Sequence, residues 1–350
     1  MMQINVGNRT IGPASPCFIA AEIGINHGGD IALARRMIDA AADAGADAVK
    51  FQNYRTEDFI SDRTLTYEYL SRGQPVVESQ FDMFKRCELR PENLVALAQH
   101  CENRDVIFFS TPTSEAGIAD LVRSGAPLLK NGSDYLVHLP LIRAMARSGL
   151  PTVLSTGMAT IGEIEDAVIA FREAGGRELV LLHCTSTYPT PDQDANLRKI
   201  PTLARMFGCP VGFSDHTWGS VAAVGAVTLG ACFVEKHFTT DRDLPGPDHR
   251  FSSDPTEFRA LVDAVRRVET CLGTPAIGPT PSETQGRMNF RLSCVAATDL
   301  ESGRALQPGD IAFRRPAGGL APKLAEQLYG RRLAGAVRIG HLFSEADFGD

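Results

Sequence analysis

The chain has 350 residues, 43% hydrophobic and 22% charged, with a formal net charge of -7; that length can bury one large core plus a small one, and the acidic balance offers no basic field for nucleic acid and disfavours a polyanionic partner. No apolar run approaches the length of a membrane span, and the first residues lack the charged-then-apolar pattern of a signal peptide. The eight cysteines are scattered without CxxC pairs, which points to reduced thiols in a cytoplasm and away from structural zinc or a disulfide framework.

The first ten residues or so, "QINVGNRTIG", read as a two-strand cover turning at Gly7-Asn8. Short apolar runs then alternate with segments of three-to-four-residue apolar spacing. The strand candidates in order are "CFIAAEIG", "DAVKFQ", "VIFFSTP", "APLLKNGS", "PTVLSTG", "LVLLHCTS", "PVGFSD" and "CFVEKHF". Helical segments between and after them include "IALARRMIDAAADAG", "PENLVALAQHCE", "EAGIADLVRSG", "HLPLIRAMARSG", "IGEIEDAVIAFREAGG", "WGSVAAVGAVTLG" and "TEFRALVDAVRRVETCLG". Eight strand–helix units in this length predict a TIM (β/α)8 barrel over residues 1–273. A doubly wound open sheet is the other arrangement with this alternation. Against it, no GxGxxG follows the first strand, and polar residues end nearly every strand instead of gathering at one switch point. The Pro/Gly/Ser/Thr-rich stretch 274–290 reads as a linker, and 291–350, with short strands and Gly-containing turns, as a small separate module.

In such a barrel the strand C-termini face the active site. There this sequence places Glu22; Lys50 and Gln52; Ser110 and Thr111; Lys130 and Ser133; Ser155 and Thr156; His183, Thr185 and Ser186; Ser214, Asp215 and His216; and Glu235, Lys236 and His237. Only six lysines occur beside a large excess of arginine, and three of them, Lys50, Lys130 and Lys236, close apolar runs. Cations among short hydroxyl donors suit an oxyanion such as phosphate or carboxylate. Imidazoles on adjacent strands, His216 and His237, suit a divalent metal with positions left open for water or substrate. Glu22 is a candidate acid or base. Blander roles exist for some of these groups: Thr111 and Thr113 could cap the helix beginning near Ser114, and Lys50 could form a structural salt bridge with Glu22. Recurrence on most of the eight strands favours a shared site.

With these residues in place the sequence resembles the sialic acid synthase family, enzymes of nine-carbon nonulosonic acid synthesis. The resemblance runs through "AEIGINHGG", "VKFQ", "FSTP", "LKNGS", "LSTGMA", "HCTSTYPTP", "GFSDHT", "EKHF" and "PGPDHRFSSDP" into "RRPAGG" and the tail, which looks like the family's antifreeze-like (SAF) domain. It implies condensation of phosphoenolpyruvate with an N-acylated mannosamine-type sugar and water, releasing phosphate. It also implies a divalent metal, Mn2+ or Mg2+, held by His216 and His237. Phosphoenolpyruvate contacts would come from Lys50, Thr111, Lys130, Ser133, Ser155, Ser186 and Ser214. Sugar-side contacts would come from Glu22, Gln52, Tyr188 and Asp248, with Glu22 near the reacting aldehyde. The family forms a domain-swapped homodimer, and Arg315 matches the arginine that crosses from the partner.

The sequence departs from the sialic-acid branch at Asn131, at Asp134-Tyr135 and at Ser186. Its Gly-Ser-Asp form is closer to branches using 6-deoxy, 2,4-diacetamido sugars, such as legionaminic acid synthases, and spore-coat polysaccharide members share the motifs. Two other activities are weighed: a Schiff-base pyruvate aldolase using Lys130 or Lys50, which needs a lysine desolvated toward neutrality, and a non-catalytic sugar- or ice-binding protein, which predicts decayed strand ends.

Overall fold

The computed structural model describes residues 3–349, and the chain divides into two compact units, Met1–Gly273 and Thr274–Asp350. In the first, strands β1 (Ile4–Val6) and β2 (Arg9–Ile11) form the antiparallel cover. The chain continues through β3 (Phe18–Gly24), α1 (Ile31–Asp43), β4 (Ala48–Asn53), α2 (Thr56–Phe59), β5 (Thr66–Ser71), β6 (Gln74–Ser79), α3 (Gln80–Cys87) and α4 (Pro91–Asn103). Next come β7 (Ile107–Pro112), α5 (Glu115–Ser124), β8 (Leu129–Asn131), α6 (Leu139–Arg147), β9 (Thr152–Ser155) and α7 (Ile161–Glu173). The unit ends with β10 (Leu179–Cys184), α8 (Lys199–Phe207), β11 (Val211–Asp215), α9 (Val221–Thr228), β12 (Phe233–His237) and α10 (Pro255–Leu272).

Strands β3, β4 and β7–β12 are all parallel and close on themselves, β12 pairing back onto β3. This is the expected TIM barrel. Its strands are built from two apolar layers that follow the two-residue alternation of a strand. Inward positions at the N-terminal end, among them Phe18, Ala48, Phe109, Leu128, Val153, Val180 and Phe233, pack with Ile4, Val6 and Ile11 of the cover and plug that end of the barrel. Outward positions such as Ile19, Val49, Phe108, Leu129 and Val234 pack against the helices. The interior is tight: a Cβ on Gly212 would lie 2.5 Å from Phe233 Cβ, so only glycine lets β11 approach β12 there.

The eight barrel strands fall where the periodicity predicts them. The sequence reading missed α8, and it missed the β5–β6 hairpin and α3, which interrupt the second strand–helix unit. Helix α9 is shorter than the segment "WGSVAAVGAVTLG" suggests, beginning at Val221 after a left-handed Gly219 (φ +68°). No helix among the described residues is long and apolar enough to cross a membrane.

The second unit carries α11 (Thr284–Phe290), β13 (Ser293–Ala296), β14 (Ile311–Arg314) and α12 (Ala325–Leu328). Strands β13 and β14 pair antiparallel over a core of Cys294, Leu306, Leu328, Leu333 and Phe343. Within 274–290, then, the last residues are helical, a feature masked in sequence by the surrounding Pro, Gly and Thr.

Candidate active site

The alternation that buries Phe18, Ala48, Leu128 and Phe233 brings polar residues inward two or four positions later. Glu22, Lys50, Lys130, Ser155, Cys184, Ser214 and Glu235 thus line the floor of one cavity of about 500 Å³ at the C-terminal end of the barrel. Gln52, Thr111, Ser133, Ser186, Tyr188, His216, His237 and Asp248 line the same cavity. That volume is ordinary for a small-molecule site. Every first-unit residue to which the family resemblance gave a substrate, metal or catalytic role is therefore gathered there. By contrast, Ser110, Thr156, His183, Thr185, Asp215 and Lys236, expected beside them at the strand ends, do not line it. Arg315 belongs to the second unit, where its Nε donates to the Phe290 carbonyl at 3.1 Å.

Four buried charges form a linked chain across the floor. Lys50 Nζ lies 3.0 Å from Glu22 Oε1 and 3.7 Å from Glu235 Oε1, and Lys130 Nζ lies 3.7 Å from that same Glu235 oxygen. Hydroxyls complete it: Lys50 donates to Thr111 Oγ1 at 3.2 Å, Lys130 to Ser155 Oγ at 2.8 Å, and Ser214 Oγ to Glu235 Oε1 at 3.2 Å. The salt bridge with Glu22 considered for Lys50 does exist, but inside the cavity. Helix α5 is capped by Ser114, whose Oγ accepts from Gly117 N, so Thr111 is left to serve Lys50.

Burial and charge set the protonation of these groups. Burial pushes Glu22 up to about 7, although the Lys50 ammonium pulls the other way. Burial also lowers Lys50, but Glu22 and Glu235 more than offset it and its pKa ends above the usual lysine value. For Lys130 burial wins and the ammonium is pushed down. Asp248 rises to about 6, again through burial.

At one side of the floor stand His216 and His237, ring centroids 5.5 Å apart, with Tyr188 packed 4.1 Å over His216. His216 Nδ1 donates to the Thr185 carbonyl at 2.9 Å, so Nε2 is the nitrogen able to give up its proton to a metal. Burial lowers the pKa of this ring, but the Cys184 contact and the Glu235 charge more than offset it and the pKa ends raised. His237 is held well below the usual imidazole range by burial and by the nearby cations. Its buried Nδ1 has no hydrogen-bond partner, the Asp248 carboxylate standing off at 3.9 Å. An unprotonated imidazole with an orphaned nitrogen beside a second imidazole whose Nδ1 is already engaged fits a divalent cation. Among the described residues no group of three or more His, Cys, Asp or Glu makes a protein-only metal cage, so water or substrate would supply the remaining ligands.

Some contributors were not assigned a role from sequence. Glu235 bridges both lysines; the signal was available, since it shares its inward face with His237. Cys184 lies 3.9 Å from His216 Nδ1, and that contact, with the Lys130 charge, brings its thiol to about 7 despite burial. The β5–β6 hairpin adds Tyr67 to the cavity wall, beside Tyr54, Phe59 and Phe84. Conversely, His183 turns outward and bonds the Ala195 carbonyl at 2.6 Å. Asn131 also faces away, its Nδ2 tying the Tyr135 carbonyl at 3.1 Å, whereas Asp134, Tyr135 and Ser186 face the cavity.

Comparison with known proteins follows the same line. The NeuB family model matches residues 37–276. An uncharacterized protein of Methanocaldococcus jannaschii is 40% identical over 95% of both chains. The N,N'-diacetyllegionaminic acid synthase of Legionella pneumophila is 38% identical, again over 95% of each chain. Among solved structures, the N-acetylneuraminic acid (sialic acid) synthetase of Leptospira borgpetersenii, crystallised with citrate, superposes with a TM-score of 0.74 at 37% identity, covering 81% of this chain and 95% of that one.

Proposed function

This chain belongs to the NeuB family, and from that premise we propose that it is a nonulosonic acid synthase. It condenses phosphoenolpyruvate with an N-acylated mannosamine-type sugar and water to give a nine-carbon 2-keto-3-deoxy acid and phosphate. The product is N-acetylneuraminate or a legionaminic-type acid. The observation that carries this reading is the convergence of Lys50 and Lys130, with their hydroxyls, on the same cavity as His216 and His237.

The residues divide the work. Lys50 and Lys130, with Thr111, Ser133, Ser155, Ser186 and Ser214, receive the carboxylate and phosphate of phosphoenolpyruvate and neutralise the departing phosphate. Gln52, Tyr188 and Asp248 hold the open-chain sugar beside it, so that two reactants meet in one oriented encounter. The enol carbon C3 bonds to the aldehyde carbon while protonated Glu22 gives its proton to the aldehyde oxygen, a transfer suited to a carboxyl near 7. Water then bonds to the electron-poor C2 and loses a proton. The bond from C2 to the phosphate oxygen breaks, phosphate leaves with that electron pair and takes up the remaining hydroxyl proton, and C2 becomes the ketone. His216 and His237 would hold Mn2+ or Mg2+, which polarises the aldehyde and orders water when bound.

The second unit, as an antifreeze-like module, would place Arg315 over the barrel mouth of a partner subunit in a domain-swapped homodimer. The eight free thiols suit a reducing cytoplasm. One observation favours a second reading: the lowered Lys130 pKa is what a Schiff-base aldolase needs.

A phosphate-release panel tests both. Phosphate is expected only with phosphoenolpyruvate, a divalent metal and one of N-acetylmannosamine or its 2,4-diacetamido-6-deoxy relatives, and chelation should abolish it. No release with any of these sugars, or a borohydride-trapped pyruvate adduct on Lys130, would overturn the synthase.

A further inference from the structure

Lys236, one of the lysines singled out at the strand ends, has no part in the reaction above. Its position explains why. On β11 and β12 the alternation sends Ser214, His216, Glu235 and His237 into the cavity and turns Asp215 and Lys236 to the opposite face, between barrel and helices. Asp215 and Lys236 are direct cross-strand neighbours, with side chains 0% and 3% exposed and Nζ 2.8 Å from Asp215 Oδ2. The other Asp215 oxygen, Oδ1, accepts from Thr217 N at 2.8 Å and from Thr217 Oγ1 at 2.7 Å. Lys236 Nζ also donates to the Thr217 carbonyl.

These bonds enclose His216. Asp215 and Thr217 flank it in sequence, Asp215 closes a turn around it, and Lys236 grips both flanking residues from the neighbouring strand. Lys236 itself immediately precedes His237. A single ammonium therefore ties the backbone carrying one imidazole to the backbone carrying the other. Stability does not account for such a pair, because replacing a buried ion pair with well-packed apolar side chains is commonly neutral or stabilising. What an apolar pair lacks is direction: it cannot fix the turn at Asp215–Thr217 against the end of β12.

We propose that the buried Asp215–Lys236 pair, with Thr217, is a positioning strut that sets the spacing and orientation of His216 and His237 for a divalent cation. The proposal rests on the metal role given to those imidazoles above. It makes Lys236 a positioning residue that touches no substrate, in contrast to Lys50 and Lys130.

The test is direct Mn2+ binding to the purified full chain without substrates, read by electron paramagnetic resonance of free Mn2+, alongside thermal melts and phosphoenolpyruvate binding. The parent should bind Mn2+ and His237→Ala should not. The apolar double variant Asp215→Val/Lys236→Met should melt near or above the parent yet bind Mn2+ about 10- to 100-fold more weakly, the usual effect of losing the partners that orient metal ligands. Its phosphoenolpyruvate affinity should be unchanged. Thr217→Val, which keeps the ion pair and deletes only the hydroxyl contact, should weaken Mn2+ binding by less and serves if the double variant does not fold. Parent-like Mn2+ affinity in the folded double variant, or in Thr217→Val should that be the only folded one, overturns the strut while leaving the metal reading intact. A parent that binds no Mn2+ overturns the metal reading, and the strut with it.

Discussion

Replacing Lys130 by methionine removes one of the two ammonium groups on the cavity floor while preserving most of the buried stem. In the parent, Lys50 and Lys130 flank Glu235, whose Oε1 lies 3.7 Å from both nitrogens. In Lys130→Met, Glu235 keeps only Lys50 and the Ser214 hydroxyl, and the floor loses one positive charge where an anion must bind. At this separation and an effective dielectric of about 20, one ammonium–anion contact is worth roughly 4 kcal/mol. That is about three decades in affinity, and water entering the vacated space reduces it, so the KM for phosphoenolpyruvate should rise by roughly two to three decades. The KM for the sugar should stay near its parent value, because Gln52, Tyr188 and Asp248 are untouched. Initial rates of phosphate release, with each substrate varied in turn, separate the two, and a thermal melt checks folding. A second substitution sharpens the test. Glu235→Gln in the Lys130→Met background removes the Glu235 charge and should recover part of the loss. A Lys130→Met enzyme with parent phosphoenolpyruvate KM, or a double variant whose losses simply add, would refute the electrostatic account.

Glu22→Gln should lower kcat by about 10²–10⁴, the usual yield of a positioned acid, with phosphoenolpyruvate binding retained. Because burial raises Glu22 to about 7 and the acid form is the active one, kcat/KM should fall as pH rises through 7 in the parent. That limb should vanish in Glu22→Gln; its survival would assign the proton transfer elsewhere. Gly157→Ala tests the crowding above the floor, since its Cβ would lie 2.3 Å from Ser186 Oγ and 2.7 Å from Ser133 Oγ. Overpacking of this kind costs about 1–3 kcal/mol, expected here as a raised phosphoenolpyruvate KM; normal kinetics with a lowered Tm would take both hydroxyls out of the site.

Much of this molecule is written in local pattern. The two-residue alternation and the strand–helix rhythm give the barrel strands, and the same alternation places Glu22, Lys50, Lys130 and Glu235 on inward positions before any partner is known. The β5–β6 hairpin escaped because "TYEYLSRGQPVVES" is half-exposed and mostly polar, so no buried face marks it. Helix α8 lies in "KIPTLARMF", where a proline near its start disguises a segment that packs Ile200, Leu203 and Phe207 inward.

What sequence alone determined is which residues can share a face of a strand, because side-chain direction repeats every second residue whatever lies alongside. What only the tertiary structure decided is who meets whom. Glu235 between two lysines over a hundred positions away, and Lys236 clasping the turn around His216, follow from closure of the parallel barrel, whose registers are fixed by packing across the whole sheet. Alternation made Lys236 point opposite to His237; only the neighbouring strand gave it Asp215 to hold.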